Sequence, residues 1–414
     1  MMRMLLLCLA LLPAVAVRAE TIAIVGADIH TLGERGSLRG GTVVIADGRI
    51  EAIGTGVELP AGARAIDGKG AVVTPGLFHP IGQLGLVEIE LEAPTVDFAQ
   101  RRDDLSAGFD IAAAINPRST LIGVARESGV THALVVPEAP VPEEPGQPAS
   151  PLAGLGTVID LGGPVNYRVA QRAALVAHFG TRGGQLAGGS RAAALDVMKQ
   201  ALADARDYDA NRGAYAVGAR RPYSVSAADL EALVAVADKS IPLIVEANRA
   251  SDIAALVEFA LTEDIRLIVS GGAEAYLVAV ELAAAGVPVI IDAFANLPGS
   301  FDSLSADLGN AARLVGAGVT VAIGAWPTHN AAKLRQAAGN AVAHGLPWIE
   351  GLRAITETAP AMFGLDDDLG RLAPGAPASL VVWDGDPLEV TSFPRHVFID
   401  GREIDAPSRQ TLLR

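Results

Sequence analysis

The feature that most constrains this chain is the alternation in its middle. Apolar runs rich in β-branched residues recur at about 131–136, 157–161, 242–247, 265–270, 287–293 and 319–324. Ala- and Leu-rich stretches lie between several of them. A continuous apolar run has no polar alternation, so as a strand it must be covered on both faces. The intervening helical stretches supply that cover, and the pattern predicts a parallel sheet wrapped by helices. Seven or eight such units fit an α/β fold of the (β/α)8 TIM barrel type over residues 75–365. A doubly wound open sheet is the competing arrangement. Ser226-Ala-Ala-Asp229 reads as a capping box opening a helix through Ala237, and Gly286 is placed to end a helix over 274–285. The proline-rich stretch Pro137–Pro151 reads as a loop.

The two ends read differently. Thr21-Ile-Ala-Ile-Val-Gly is a β-branched run, and the segment 42–54 contains two strands joined by Asp47-Gly48, a strong hairpin signal. Ser379-Leu-Val-Val-Trp-Asp-Gly and Val397-Phe-Ile-Asp-Gly repeat the strand-and-turn pattern near the other end. Together they predict one small composite β-sandwich built from residues 20–74 and 366–414.

Half of the 414 residues are hydrophobic and the formal net charge is −15. A large core is therefore available. An acidic chain carries no electrostatic footprint for nucleic acid or an anionic membrane. The charge reads as a solubility device, with a preference for cationic substrates as the other reading. Residues 1–19 read as a signal peptide: Arg3, an apolar run from Met4 to Val17, then Val17-Arg18-Ala19 before a cut at Glu20. Periplasmic or secreted location follows, with no membrane span after cleavage; an uncleaved N-terminal anchor is the alternative. The single cysteine, Cys8, lies in that segment, so the mature chain is expected to have neither disulfide nor thiol chemistry.

Residues 74–86 read Thr-Pro-Gly-Leu-Phe-His-Pro-Ile-Gly-Gln-Leu-Gly-Leu. The segment resembles the end of the first barrel strand in the metal-dependent amidohydrolase superfamily, where Pro-Gly-Leu-Ile-Asp-x-His-x-His-Leu-Gly carries two metal-binding histidines. The N-terminal Gly26-Ala-Asp-Ile-His and Val44-Ile-Ala-Asp-Gly-Arg-Ile-Glu, and the later Gly370-Arg-Leu-Ala-Pro-Gly and Leu380-Val-Val-Trp-Asp-Gly-Asp-Pro, are similar to the opening and close of its imidazolonepropionase-like branch. The resemblance implies a hydrolase of non-peptide or dipeptide C–N bonds, with zinc or another divalent metal at the C-terminal mouth of the barrel. The implied ligands are two His on strand one, His on strands five and six, Asp on strand eight and, in some members, a carboxylated Lys on strand four.

At the matching positions the ligands are replaced. Ile81 and Gln83 stand for the strand-one His pair, with His79 at the family's usual Asp. Glu246 and Asn248 stand for the strand-five pair, Gly271 for the strand-six His and Trp326 for the strand-eight Asp. Asp160 is a weakly aligned candidate for the strand-four Lys. Isoleucine, glycine and tryptophan offer no donor, and a glutamine amide is a poor zinc ligand. No metal cofactor of the family's type is expected. Gln83, Glu246, Asn248, Arg249, Trp326 and His329 are the candidate binding residues, and His329, beside Asn330, is the remaining candidate general base. Arg249 and Glu274 match relatives and read as an ion pair between barrel loops. A rebuilt site of His79, Gln83, Glu246 and Asp292 would suit a harder cation. The seven histidines, His178 among them, show no His-x-His or His-x3-His spacing. Three functions compete: a non-catalytic pseudoenzyme acting as partner subunit or regulator (with an intact amidohydrolase relative, or as a homo-oligomer), a metal-free small-molecule binding protein, and an active amidohydrolase with a rebuilt site.

Overall fold

The computed structural model describes residues 20–102, 104–140, 142, 149–295, 297–404 and 407–413. The leader expected over residues 1–19, with Cys8, lies outside the described residues. Among those described, no helix is long and apolar enough to cross a membrane.

Sixteen strands are described. The N-terminal part supplies β1 (Ile22–His30), β2 (Ser37–Ala46), β3 (Arg49–Gly54), β4 (Arg64–Asp67) and β5 (Val72–Pro75). The middle supplies β6 (Leu77–Gly82), β7 (Val130–Val135), β8 (Leu152–Asp160), β9 (Arg168–His178), β10 (Leu243–Ala247), β11 (Leu267–Gly271), β12 (Val289–Asp292) and β13 (Val321–Gly324). The C-terminal part adds β14 (Leu380–Trp383), β15 (Pro394–Ile399) and β16 (Arg402–Glu403).

Both ends of the chain meet in one sheet of order β16-β15-β14-β5-β1-β2-β3, with β4 beside β1. The join is the antiparallel pair β5 and β14, where Val73 faces Val382. The expected turn at Asp47-Gly48 links β2 to β3, and both residues take positive φ, 49° and 80°. That is the conformation a two-residue hairpin turn requires. Ile24, Val43, Ile45, Ile50, Leu380 and Phe398 form this sheet's own core.

The second sheet is a nearly closed barrel of order β13-β12-β11-β10-β9-β8-β7-β6. Seven of its strands run one way; β8 runs antiparallel to both β7 and β9. The expected all-parallel sheet is therefore broken at its third strand. The cause is connection length: only residues 161–167 separate β8 from β9, too few for the dozen or more that a parallel crossover needs. At the seam between β13 and β6 no ladder forms among the described residues. There the His79 Nε2 lies 3.2 Å from the Ala325 carbonyl oxygen.

Alternate strand residues face opposite sides. Leu134, Val176, Ile244, Ile268, Ile290 and Ala322 pack inside the barrel, while their neighbours Val135, Leu175, Val245, Val269, Ile291 and Ile323 pack against the helices. The predicted capping box is present: Ser226 Oγ accepts the Asp229 N–H at 3.3 Å and Asp229 Oδ2 accepts the Ser226 N–H at 3.2 Å. The helix expected over 274–285 begins as a tighter turn, Ala275–Val278, before the α-helix Ala279–Ala285, which Gly286 ends at φ +63°.

The two sheets are joined through Gly76. Its N–H donates to the Ser379 carbonyl across the end sheet, and the next residue, Leu77, begins β6 in the barrel. A Cβ at Gly76 would stand 2.2 Å from the Thr131 Oγ1, so only glycine fits there.

Candidate functional site

Barrel parity builds the site. Two residues beyond the inner apolar layer, each strand presents one more inward side chain. These are Val136 after β7, His178 on β9, Glu246 on β10, Ser270 on β11, Asp292 on β12 and, on β13, Gly324, which leaves room for Trp326. All but Gly324 line a cavity of 720 Å³ at the C-terminal mouth of the parallel strands, the end where barrels of this kind place their chemistry. Ile81, Gln83, Glu138, Arg182, Asn248 and Thr328 line it too.

Each polar group there has its own partners. His178, buried at 4 % exposure, sits in register beside Glu246. Its Nε2 accepts the Ala139 N–H at 3.3 Å, and Nδ1 donates to the Glu246 Oε2 at 2.7 Å. Burial pushes the Glu246 carboxyl up, but the hydrogen bond and electrostatic attraction of His178, with the nearby Arg182 charge, outweigh it and hold the group below its ordinary range. Gln83 Nε2 donates to Glu138 Oε2 at 2.8 Å, and Gln83 Oε1 accepts from the Thr328 hydroxyl at 3.3 Å. Glu138 also pairs with Arg182, whose Nη2 donates to the Ala139 carbonyl at 2.7 Å. Asn248 Oδ1 accepts the Ala273 N–H at 3.3 Å and fills the space where a Gly271 side chain would go, 2.6 Å from an ideal Cβ. Asp292 Oδ1 accepts the Phe294 N–H at 2.9 Å; burial raises its pKa, with that hydrogen bond as a partial offset.

These groups do not fit a family-type metal. Ile81, Gly271 and Trp326 bring no donor to the mouth, the Gln83 amide is engaged on both atoms, and the Asn248 oxygen is turned to the backbone. Among the described residues, no three His, Cys, Asp or Glu side chains converge on one point.

Four of the six expected binding residues, Gln83, Glu246, Asn248 and Trp326, line the cavity. Arg249 and His329 do not. Arg249 donates to Asp252 Oδ1, its Nη2 at 2.5 Å, so the Arg249–Glu274 ion pair expected from sequence is not formed. Glu274 instead accepts the Ala250 N–H at 3.0 Å and the Ser305 N–H at 2.8 Å. It is an anchor for loop backbone, and the short reach of Arg249 to its own helix's first turn explains the difference. The His329 ring lies on the surface, 3.5 Å from an oxygen of Glu90 at the cavity rim, and does not itself line the cavity. His79 is fully buried at the seam rather than at the mouth, and burial lowers its pKa to about 4. Asp160 pairs across from His132, at the opposite end of the barrel, because β8 runs backwards. The fourth barrel strand, β9, ends at His178.

Three residues that shape the cavity, His178, Glu138 and Arg182, escape sequence reading. His178 closes the apolar run Ala173–Ala177, a strand signal of its own. Glu138 lies in the proline-rich loop, which offers no periodic frame. Arg182 belongs to the helix Gly180–Leu186, whose glycines conceal it.

A profile of the amidohydrolase family matches residues 149–404. Over 76 residues, 18% of this chain, the sequence is 41% identical to amidohydrolase tasK of Hapsidospora irregularis. The match spans 8% of that protein's length. Among solved structures, an amidohydrolase from Thermotoga maritima MSB8 superposes with a TM-score of 0.82 at 24% identity, covering 92% of this chain and 99% of its own. Molinate hydrolase gives a TM-score of 0.55 at 17% identity, covering 94% of this chain and 95% of its own. At such identities the structural likeness speaks for the fold.

Proposed function

We propose, from the premise that this chain belongs to the amidohydrolase family, that it is a non-hydrolytic member whose barrel mouth holds a small molecule without a metal. One observation carries the reading: the positions where the family resemblance implies a ligand are occupied by side chains with no donor or by ones already bonded within the protein, Glu246 keeping one free oxygen. Hydrolysis of the family type needs a metal to lower the pKa of water and polarise the carbonyl, and these residues provide no place for it. What remains is a largely pre-formed pocket with a few convergent polar groups, the usual form of a small-molecule site. Trp326 supplies an aromatic wall, and the His178–Glu246 and Gln83–Glu138–Arg182 hydrogen bonds hold the polar groups in place.

A partner role belongs to the same reading. Leu91, after β6, is 96 % exposed, and Leu297 and Phe301, after β12, are 72 % and 85 % exposed. Apolar side chains on loops around the mouth support docking against another amidohydrolase-fold chain, an intact relative or a second copy. The apolar run Met4–Val17 supports export, which cell fractionation tests.

The deciding experiment is metal content by mass spectrometry after incubation with zinc and manganese, paired with hydrolysis assays on dipeptides and N-acyl amino acids. The expected result is far less than one metal per folded chain and no turnover. A stoichiometric metal with turnover would overturn the reading and favour a rebuilt site at Glu246 and Asp292.

A further inference from the structure

We infer that the mouth cavity takes an organic cation, a primary ammonium or guanidinium group seated between Glu246, Ser270 and Asp292 with its apolar part against Trp326; this rests on the metal-free binding reading.

The charge of the lining comes first. Four carboxylates line the cavity, Glu90, Glu138, Glu246 and Asp292, against one guanidinium, Arg182. Arg182 is committed to Glu138. His178 is engaged on both ring nitrogens, Nδ1 with Glu246 and Nε2 with the Ala139 N–H. Among the described residues, Glu90 pairs with the exposed His329. Asp292 has no cationic partner among the described residues, although it is partly buried. A carboxylate in such a place lacks the counter-charge that usually accompanies burial.

A second observation is independent of charge. Ser270 is only 4 % exposed, lines the cavity and makes no side-chain hydrogen bond among the described residues. Its hydroxyl is not among the buried unpartnered polar atoms, so it opens on the cavity and can meet a group there. Its position lies between the two carboxylates: Ser270 is in register with Glu246 on one side and with Ile290, two residues before Asp292, on the other. Glu246 uses Oε2 for His178, and Asp292 uses Oδ1 for a backbone N–H. Each keeps its second oxygen for another donor. The two carboxylates stand two strand spacings apart and two residues offset along the strand, roughly 12 Å between their Cα atoms, and with a free hydroxyl between them they form a row of acceptors. An ammonium or guanidinium supplies donors and no acceptor, which matches that row. The Trp326 face adds the attraction of an aromatic ring for a cation or a flat apolar group.

Benzylamine, benzyl alcohol and benzoate form a matched set of cation, neutral molecule and anion. Calorimetric titration of each into the folded protein tests the inference, with Ser270→Ala and Asp292→Asn as separate variants and circular dichroism to check folding. The expected result is benzylamine binding, with the other two at least tenfold weaker, and a loss of roughly tenfold in either variant. Equal binding of all three would overturn the cation assignment and leave the binding reading standing. No binding by any, with tryptophan emission unmoved, would overturn both. One-to-one uptake of manganese that Asp292→Asn abolishes would overturn the metal-free reading, and the inference with it.

Discussion

The Trp326 indole lies against Gly324, close enough that a Cβ at Gly324 would stand 2.7 Å from the ring. The glycine at the end of β13 is thus the floor on which the aromatic wall rests. Gly324→Ala is expected to push the ring into the cavity, cost about 1–3 kcal/mol by overpacking, and shift tryptophan emission. Urea unfolding and fluorescence spectra read both effects.

Removing the Glu246 carboxylate leaves the buried His178 Nδ1–H without its acceptor. Glu246→Ala is expected to destabilise the protein by about 1–3 kcal/mol, and Glu246→Gln, which keeps an acceptor, by less. Urea midpoints of the two variants give the comparison; equal losses would mean that the His178 contact contributes little.

Acid should weaken the fold through two buried imidazoles. Burial holds both His79 and His132 at about 4, below the ordinary 6.5. The unfolded chain therefore binds protons first as pH falls. The contribution to stability is complete above about 6.5 and is lost as pH drops toward about 4. Urea midpoints from pH 7.5 down to 4.5, expected to decline over that window, test this, and His132→Gln should flatten the decline.

Restoring the missing histidines one strand at a time is expected to fail. Ile81→His with Gln83→His leaves β10, β11 and the segment after β13 without family-type donors, so zinc uptake and turnover should stay at background by mass spectrometry and dipeptide assay. Adding Gly271→His meets a second obstacle: φ is +92° there and the Asn248 oxygen fills the space. That variant is expected to lose stability before it gains metal.

Much of the barrel is legible in the residues because burial on both faces leaves continuous apolar runs, and the ends are legible because Asp47-Gly48 admits few conformations. Strand direction is harder. The run 152–160 is buried throughout, so its composition suits a parallel or an antiparallel neighbour equally; only the shortness of the link 161–167 betrays the reversal. That reversal is why Asp160 lands at the wrong end for the role alignment suggests. At the site, Gln83, Glu246, Asn248 and Trp326 are found because they follow recognisable strand ends. Arg249 and His329 are drawn in by the same motif logic, yet whether a side chain turns into the cavity or toward Asp252 or Glu90 depends on local rotamers and neighbours that no linear spacing encodes.

Gly76 gives the molecule a shared fate. The strand β5 that joins the two halves of the end sheet becomes, one residue later, the first stave of the barrel, at a joint too narrow for any other residue. Cutting the chain there does not release two independent pieces: it strips the barrel of its first strand's anchor, and β14 of its neighbour. A shortened version beginning at Leu77 should therefore expose the seam strand's bottom end and aggregate, so the sequence boundary that looks most natural for dividing this protein is the one place it cannot be divided.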